Sequence, residues 1–192
     1  QIKDIVEYIT EHNHQVDENG GRHPETNRQR LREILMSGGD PMVLGNKNIA
    51  QWLSALAQAG IENIRIGTKE LAFHPKRFDE TFFAMLDAFL EAYPRVNLRM
   101  MVHFNHPDEV LLKNPDGNYI TDPSGGLTWH PDTLAAVQAF GQRAWINMDN
   151  QSPIIAGIND DSNALRILQR EMKHNGIENH YFFCGRDIVG HK

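Results

Sequence analysis

Five short segments concentrate side chains able to bind or transform a small molecule: SGGDP at Ser37–Pro41, GTK at Gly67–Lys69, HFNHP at His103–Pro107, DNQS at Asp149–Ser152 and CGRD at Cys184–Asp187. Gly38 and Gly39 allow close backbone approach and unusual φ angles, and Asp40 can accept hydrogen bonds from an ammonium group. His103 and His106 could coordinate a metal or donate from a neutral imidazole. The Gln151 carboxamide, donor and acceptor at once, suits a ribose or a carboxylate. Each residue also has an ordinary reading. A lone GGD fits a tight strand-to-helix turn, histidines three apart at a strand end need not converge, and a single glutamine is commonly a loop amide.

What must position these groups is a set of short apolar runs, one before each segment: Ile34–Ser37, Ile61–Gly67, Val96–Phe104, Ala144–Met148 and Tyr181–Cys184. They are too short for buried helices and read as strands. Helical periodicity fills the intervals. From Asn46 to Gly60 the residues Ile49, Trp52, Leu53, Leu56 and Ala57 share a face, with Gly60 as the stop. From Asp79 to Tyr93 the period recurs, with Asp79 as N-cap and Pro94 as terminator. Further helices are expected over Pro131–Gln142 and Asp161–Asn175, the latter ending at Gly176, and an amphipathic helix opens the chain. Strand ends recur roughly every 30–45 residues, the interval of a parallel β/α repeat with right-handed crossovers. Ligands bind at the carboxyl ends of such strands, so the polar segments are expected to face one mouth. The Asn-, Asp-, Pro- and Gly-rich stretch near 110–130 reads as an irregular insertion, with turns at Asn114–Gly117 and Asp122–Gly126.

The chain has 192 residues, of which 40% are hydrophobic and 23% charged, which fits one folded domain and excludes collagen-like or disordered classes. A net charge of −6 and a pI near 5.9 oppose a broad grip on nucleic acid or an anionic membrane. No apolar stretch approaches the ~20 residues of a membrane span, and the N-terminus is not signal-like, so a cytoplasmic location is expected. Cys184 is the single cysteine, which excludes an intrachain disulfide and any three-cysteine or four-cysteine cluster built by this chain alone.

The ordered set SGGDP, IRIGTK, HFNHP, NQSPIIAGIND and YFFCGRD resembles the lysine 2,3-aminomutase family of radical S-adenosylmethionine enzymes, over roughly Ile34–Gly190. The resemblance implies a partial TIM-type (β/α)6 barrel, with this chain supplying strands two to six and lacking the first strand and its cluster loop. It implies that Gly38, Gly39 and Asp40 hold the amino-acid end of S-adenosylmethionine, that His106 lies beside the adenosyl portion, and that Gln151 contacts methionine or ribose polar groups. Thr68 and Asn105 occupy matching motifs.

In that family a 4Fe-4S cluster cleaves S-adenosylmethionine, and pyridoxal phosphate carries an amino group between adjacent carbons of an amino acid. The resemblance places the cluster cysteines before Gln1 and the pyridoxal phosphate lysine after Lys192, so the segment alone is expected to be inactive; an incomplete barrel exposes edge strands and apolar surface, so its isolated stability is expected to be poor or to depend on self-association. Where lysine-directed members carry an acidic residue for the substrate ammonium, this sequence reads Cys184-Gly185-Arg186-Asp187. Arg186 at that position favours an acidic or neutral substrate side chain, and a one-residue shift places Asp187 there instead. Two other classes compete: a metal-dependent β/α-barrel hydrolase using His103, His106, Asp149 and Asp187, and a non-catalytic ligand-binding barrel fragment.

Overall fold

A computed structural model describes residues 2–184. The chain is α/β, with a five-stranded parallel sheet in sequential order: β1 (Glu33–Met36), β2 (Asn63–Thr68), β3 (Asn97–Val102), β4 (Ile146–Ile154) and β5 (Ile177–Cys184). The helices are α1 (Ile2–Glu18), α2 (Asn46–Gln58), α3 (Glu70–Phe73), α4 (Glu80–Ala92), α5 (Pro131–Gly141) and α6 (Ser162–His174). No helix among the described residues is long and apolar enough to cross a membrane. Two compact units are present. One takes the chain up to Ile66 together with Asp79–Arg99, and the other takes Gly67–Phe78 and the chain from Met100 onward.

In the first unit, α2 buries Ile49, Leu53 and Leu56, and α4 buries Phe82, Phe83, Leu86 and Phe89, the faces their periodicity marks. Each such side chain contributes about 1.5–3 kcal/mol on leaving water. Asp79 caps α4 by accepting from the Phe82 N–H at 2.9 Å, and Gly60 ends α2 with φ of +88°. α1 is tied in by a polar device. The buried Asn13 carboxamide accepts from Leu31 N–H at 2.8 Å and donates to Leu31 C=O at 3.1 Å, pairing the backbone that leads into β1.

In the second unit, α6 starts on Asp161, whose carboxylate accepts from Ala164 N–H at 2.7 Å, and ends before Gly176 with φ of +76°. Phe78 and Phe140 meet edge to face at 5.4 Å, and Phe104 meets Trp129 at 6.4 Å. β4 pairs with β5 from Met148↔Ile177 to Asn150↔Asn179, then from Gln151↔Tyr181 to Ile154↔Cys184, so the register skips His180. The expected insertion near 110–130 contains three antiparallel bridges, Leu111↔Trp129, Lys113↔Tyr119 and Thr121↔Leu127.

Two expectations are corrected. Asp149–Ser152 is not a loop after the fourth strand but lies inside β4, where Asp149, Asn150 and Ser152 are buried. β5 begins at Ile177 rather than Tyr181: a single buried isoleucine is followed by the polar, exposed Glu178, Asn179 and His180, so no apolar run marks the start of the strand.

Candidate functional site

Gly38 and Gly39 follow β1 with φ of +98° and +139°. A Cβ at either would meet nothing within 4 Å, so backbone conformation and not space requires glycine there. Asp40 next to them begins a short 3₁₀ turn, Pro41–Val43, and its Oδ1 accepts from Met42 N–H at 2.9 Å. The carboxylate expected to receive an ammonium group thus also serves as a cap.

The second unit brings the other candidates together. Thr68, 1% exposed at the end of β2, accepts on Oγ1 from Glu70 N–H at 3.0 Å and starts α3. Its carbonyl accepts from His103 N–H at 3.1 Å. Gln151 Nε2 lies 2.6 Å from His103 Nε2. A neutral imidazole accepts from the amide there, which leaves the Gln151 carbonyl as the group free to turn toward a ligand. His106 is half-buried and caps the Pro107–Glu109 turn, with Nδ1 accepting from Asp108 N–H at 3.2 Å.

Five residues outside the expected set hold these groups in place. The Asn150 carboxamide accepts from Phe104 N–H at 2.9 Å and donates to Phe104 C=O at 3.1 Å, extending the pairing of β3 by a side chain. Ser152 Oγ donates to Asn105 Oδ1 at 3.1 Å. Asn159, fully buried, donates to Asn105 C=O at 2.9 Å and Pro153 C=O at 2.8 Å and accepts from Ile155 N–H at 2.7 Å. Glu109 accepts from Asn105 N–H at 2.9 Å and pairs with Lys69, whose Nζ also donates to His103 C=O at 2.9 Å. Asn159 sits in the GIND segment already singled out by sequence. Asn150 and Ser152 likewise sit in the DNQS segment that the sequence singled out, but nothing in the sequence showed which partners they take.

Next to this network is a cleft of about 350 Å³ lined by Phe73, Asp108, Glu109, His130 and Asp132, among others. Its carboxylates are already engaged: Glu109 by Lys69, Asp132 by Lys76 at 3.3 Å, and Asp108 by Lys113 at 2.7 Å and Tyr119 at 2.6 Å. Desolvation raises the Asp108 carboxyl, but the Lys113 and Tyr119 bonds and the neighbouring His106 and Lys113 charges outweigh it and hold the group below the ordinary value of 3.8. Among the described residues no group of three or more His, Cys, Asp and Glu side chains could hold a metal ion. His103, His106 and Asp149 form no such group. Arg186 and Asp187 lie outside the described residues.

Fold and site define a parallel β/α protein in whose second unit the ends of β2 and β3 and the body of β4 bring polar groups together. No family model matches the chain. It is 31% identical over 172 residues to a putative L-lysine 2,3-aminomutase of Aquifex aeolicus (88% of this chain, 39% of that protein). It is 25% identical over 165 residues to glutamate 2,3-aminomutase of Clostridioides difficile (85% and 33%). To L-lysine 2,3-aminomutase of Methanococcus maripaludis it is 23% identical over 158 residues (82% and 30%). The relatives that match over most of this chain are thus named lysine 2,3-aminomutase or glutamate 2,3-aminomutase. It spans between 30 and 39% of the length of these three relatives. A solved aldolase, QR15, overlaps 96% of the chain at 12% identity with a TM-score of 0.35.

Proposed function

We propose that this chain is the S-adenosylmethionine-binding portion of a radical aminomutase that moves an amino group between adjacent carbons of an amino acid. The observation that carries the reading is the interlocking of HFNHP with NQSPIIAGIND. These are the two segments that the resemblance assigns to the adenosyl ligand, and they are joined here by buried carboxamides from Asn150 and Asn159.

In this reading the Gln151 carbonyl accepts from a ribose or methionine group, with its amide pinned by His103. His106 packs beside the adenine, and Thr68 and Asn105 fix the surrounding backbone. Gly38, Gly39 and Asp40 serve the amino-acid end of the ligand. When bound, S-adenosylmethionine supplies the reactive adenosyl carbon, and the residues of this chain orient it and exclude water. The 192 residues hold one cysteine, exposed at the end of β5, and so do not fit a 4Fe-4S cluster, which takes several thiolates. The cluster ligands and the pyridoxal phosphate lysine are assigned here to sequence outside these 192 residues, within a partial (β/α)6 barrel. These residues on their own would then be inactive.

The substrate is a free amino acid with an acidic or neutral side chain, read from Arg186 with Asp187 as the neighbour. The enzyme acts in the cytoplasm, binds neither nucleic acid nor membrane, and self-associates. The test uses the full-length protein, prepared anaerobically with iron and sulfide and given a reductant. Release of 5′-deoxyadenosine from S-adenosylmethionine is expected, and its absence overturns the reading. Glutamate or a neutral amino acid is expected to outperform lysine. Lysine as the best substrate, unaffected by Arg186→Ala, refutes the substrate assignment alone.

A further inference from the structure

We propose that Asn159 is a positioning residue, whose carboxamide sets how the loop after β3 and the end of β4 sit against each other and thereby controls affinity for the adenosyl ligand. The inference rests on the reading above and names the residue on which its geometry depends.

Asn159 is 0% exposed and lies on neither strand. Its amide nitrogen reaches Asn105 C=O at 2.9 Å, Pro153 C=O at 2.8 Å and Ser152 Oγ at 3.4 Å, while its Oδ1 takes Ile155 N–H at 2.7 Å. One side chain therefore serves three stretches of backbone: the HFNHP turn, the last residues of β4, and the loop that leads to α6. Ser152 closes the circuit by donating to Asn105 Oδ1 at 3.1 Å. Asn105 stands between His103 and His106, and Ser152 follows Gln151. His106 and Gln151, two of the groups assigned to the ligand, are thus each one residue from an atom that Asn159 or Ser152 holds.

No carboxylate can replace this group. An aspartate retains the acceptor facing Ile155 N–H, but it turns a lone pair toward the carbonyls of Asn105 and Pro153 and loses both donated bonds. The two strand ends can then separate without any ligand-contacting residue being altered.

The experiment measures S-adenosylmethionine binding by titration calorimetry on the full-length protein, well below its melting temperature. The variants are N159D, S152A and W129F. W129F is a stability control that removes the buried indole bond to Glu171 Oε2 at 3.2 Å while keeping an aromatic ring against Phe104. N159D is expected to bind about tenfold more weakly or worse, the order that outer-shell partners usually cost. S152A is expected to lose about threefold with little change in melting temperature, and W129F to bind as the wild type does while melting lower.

Selective loss in N159D and S152A supports the inference. Equal binding by wild type and S152A overturns it, as does loss in N159D no greater than in a W129F protein of matched stability. Should N159D fail to fold, S152A decides. A wild type that does not bind S-adenosylmethionine overturns the functional reading itself, a result distinct from wild-type binding that the variants leave unchanged.

Discussion

The pairing of Asn150 with Phe104 gives a sharp test of how this fold holds polar groups inside a strand. Asn150 is 3% exposed and Phe104 is fully buried, and two bonds of 2.9 and 3.1 Å satisfy both backbone groups of Phe104. Asn150→Ala removes both partners at once. Each buried group left unsatisfied costs about 1–3 kcal/mol, so the pair is worth about 3 kcal/mol once partial relaxation is allowed for, roughly a 150-fold change in the folded population. Asn150→Asp should cost at least as much, because it keeps the acceptor at Phe104 N–H but sets a buried negative charge against Phe104 C=O. Urea unfolding followed by circular dichroism gives the free energies. Native-state hydrogen exchange at the Phe104 amide gives the local effect, expected to fall further than exchange at α6. A change under 0.5 kcal/mol for Asn150→Ala at unchanged m-value, with Phe104 protection intact, would refute the reasoning.

Three further outcomes follow from the same structure. Gly39→Ala should destabilise by about 1 kcal/mol through its φ of +139° alone, since no atom stands where the new Cβ would lie; Gly141→Ala, at the end of α5 and outside the positive-φ glycines, with nothing within 4 Å of the new Cβ, should not destabilise. Lys69→Met and Glu109→Gln should each cost about 1–2 kcal/mol, discounted because both side chains are about a quarter exposed, and the double variant should cost less than their sum in denaturation experiments. Asp108 is held below 3.8 in the folded chain, so its stabilisation is complete above that value and is lost as pH falls through the lower folded one. Exchange protection around Lys113 and Tyr119 should drop in that acid window, and Asp108→Asn should remove the dependence.

Much of the frame was legible in the sequence because apolar periodicity reports which faces are dry. The buried faces of α2 and α4 and the caps at Asp79 and Asp161 follow from local chemistry. What stayed hidden was polar burial. Asp149–Ser152 reads as a loop because four polar residues in a row rarely enter a core. It is strand because β5 pairs along it and the backbone of Phe104, just past β3, satisfies the Asn150 side chain, a fact of tertiary contact with no local signature. The short α3 and the proline-led turns at Pro41–Val43, Pro75–Arg77 and Pro107–Glu109 were missed for lack of length. At the site, His103 and Gln151 were visible as chemistry, whereas the linking roles of Asn105, Ser152 and Asn159 depend on contacts between segments about 50 residues apart in the chain.

The skipped residue in β5 has a bearing on how this stretch can change length. Asn179 and Tyr181 face consecutive partners on β4, Asn150 and Gln151, with His180 left over between them. Losing the codon for His180 would bring two residues that are already adjacent in space into adjacency in the chain, and every later pair would keep its partner. Removing Phe182 or Phe183 with the skip kept would instead slide the strand residues that follow by one position and turn their side chains to the opposite face. The strand therefore has one position at which a deletion is absorbed, and an alignment gap among relatives is expected to fall there.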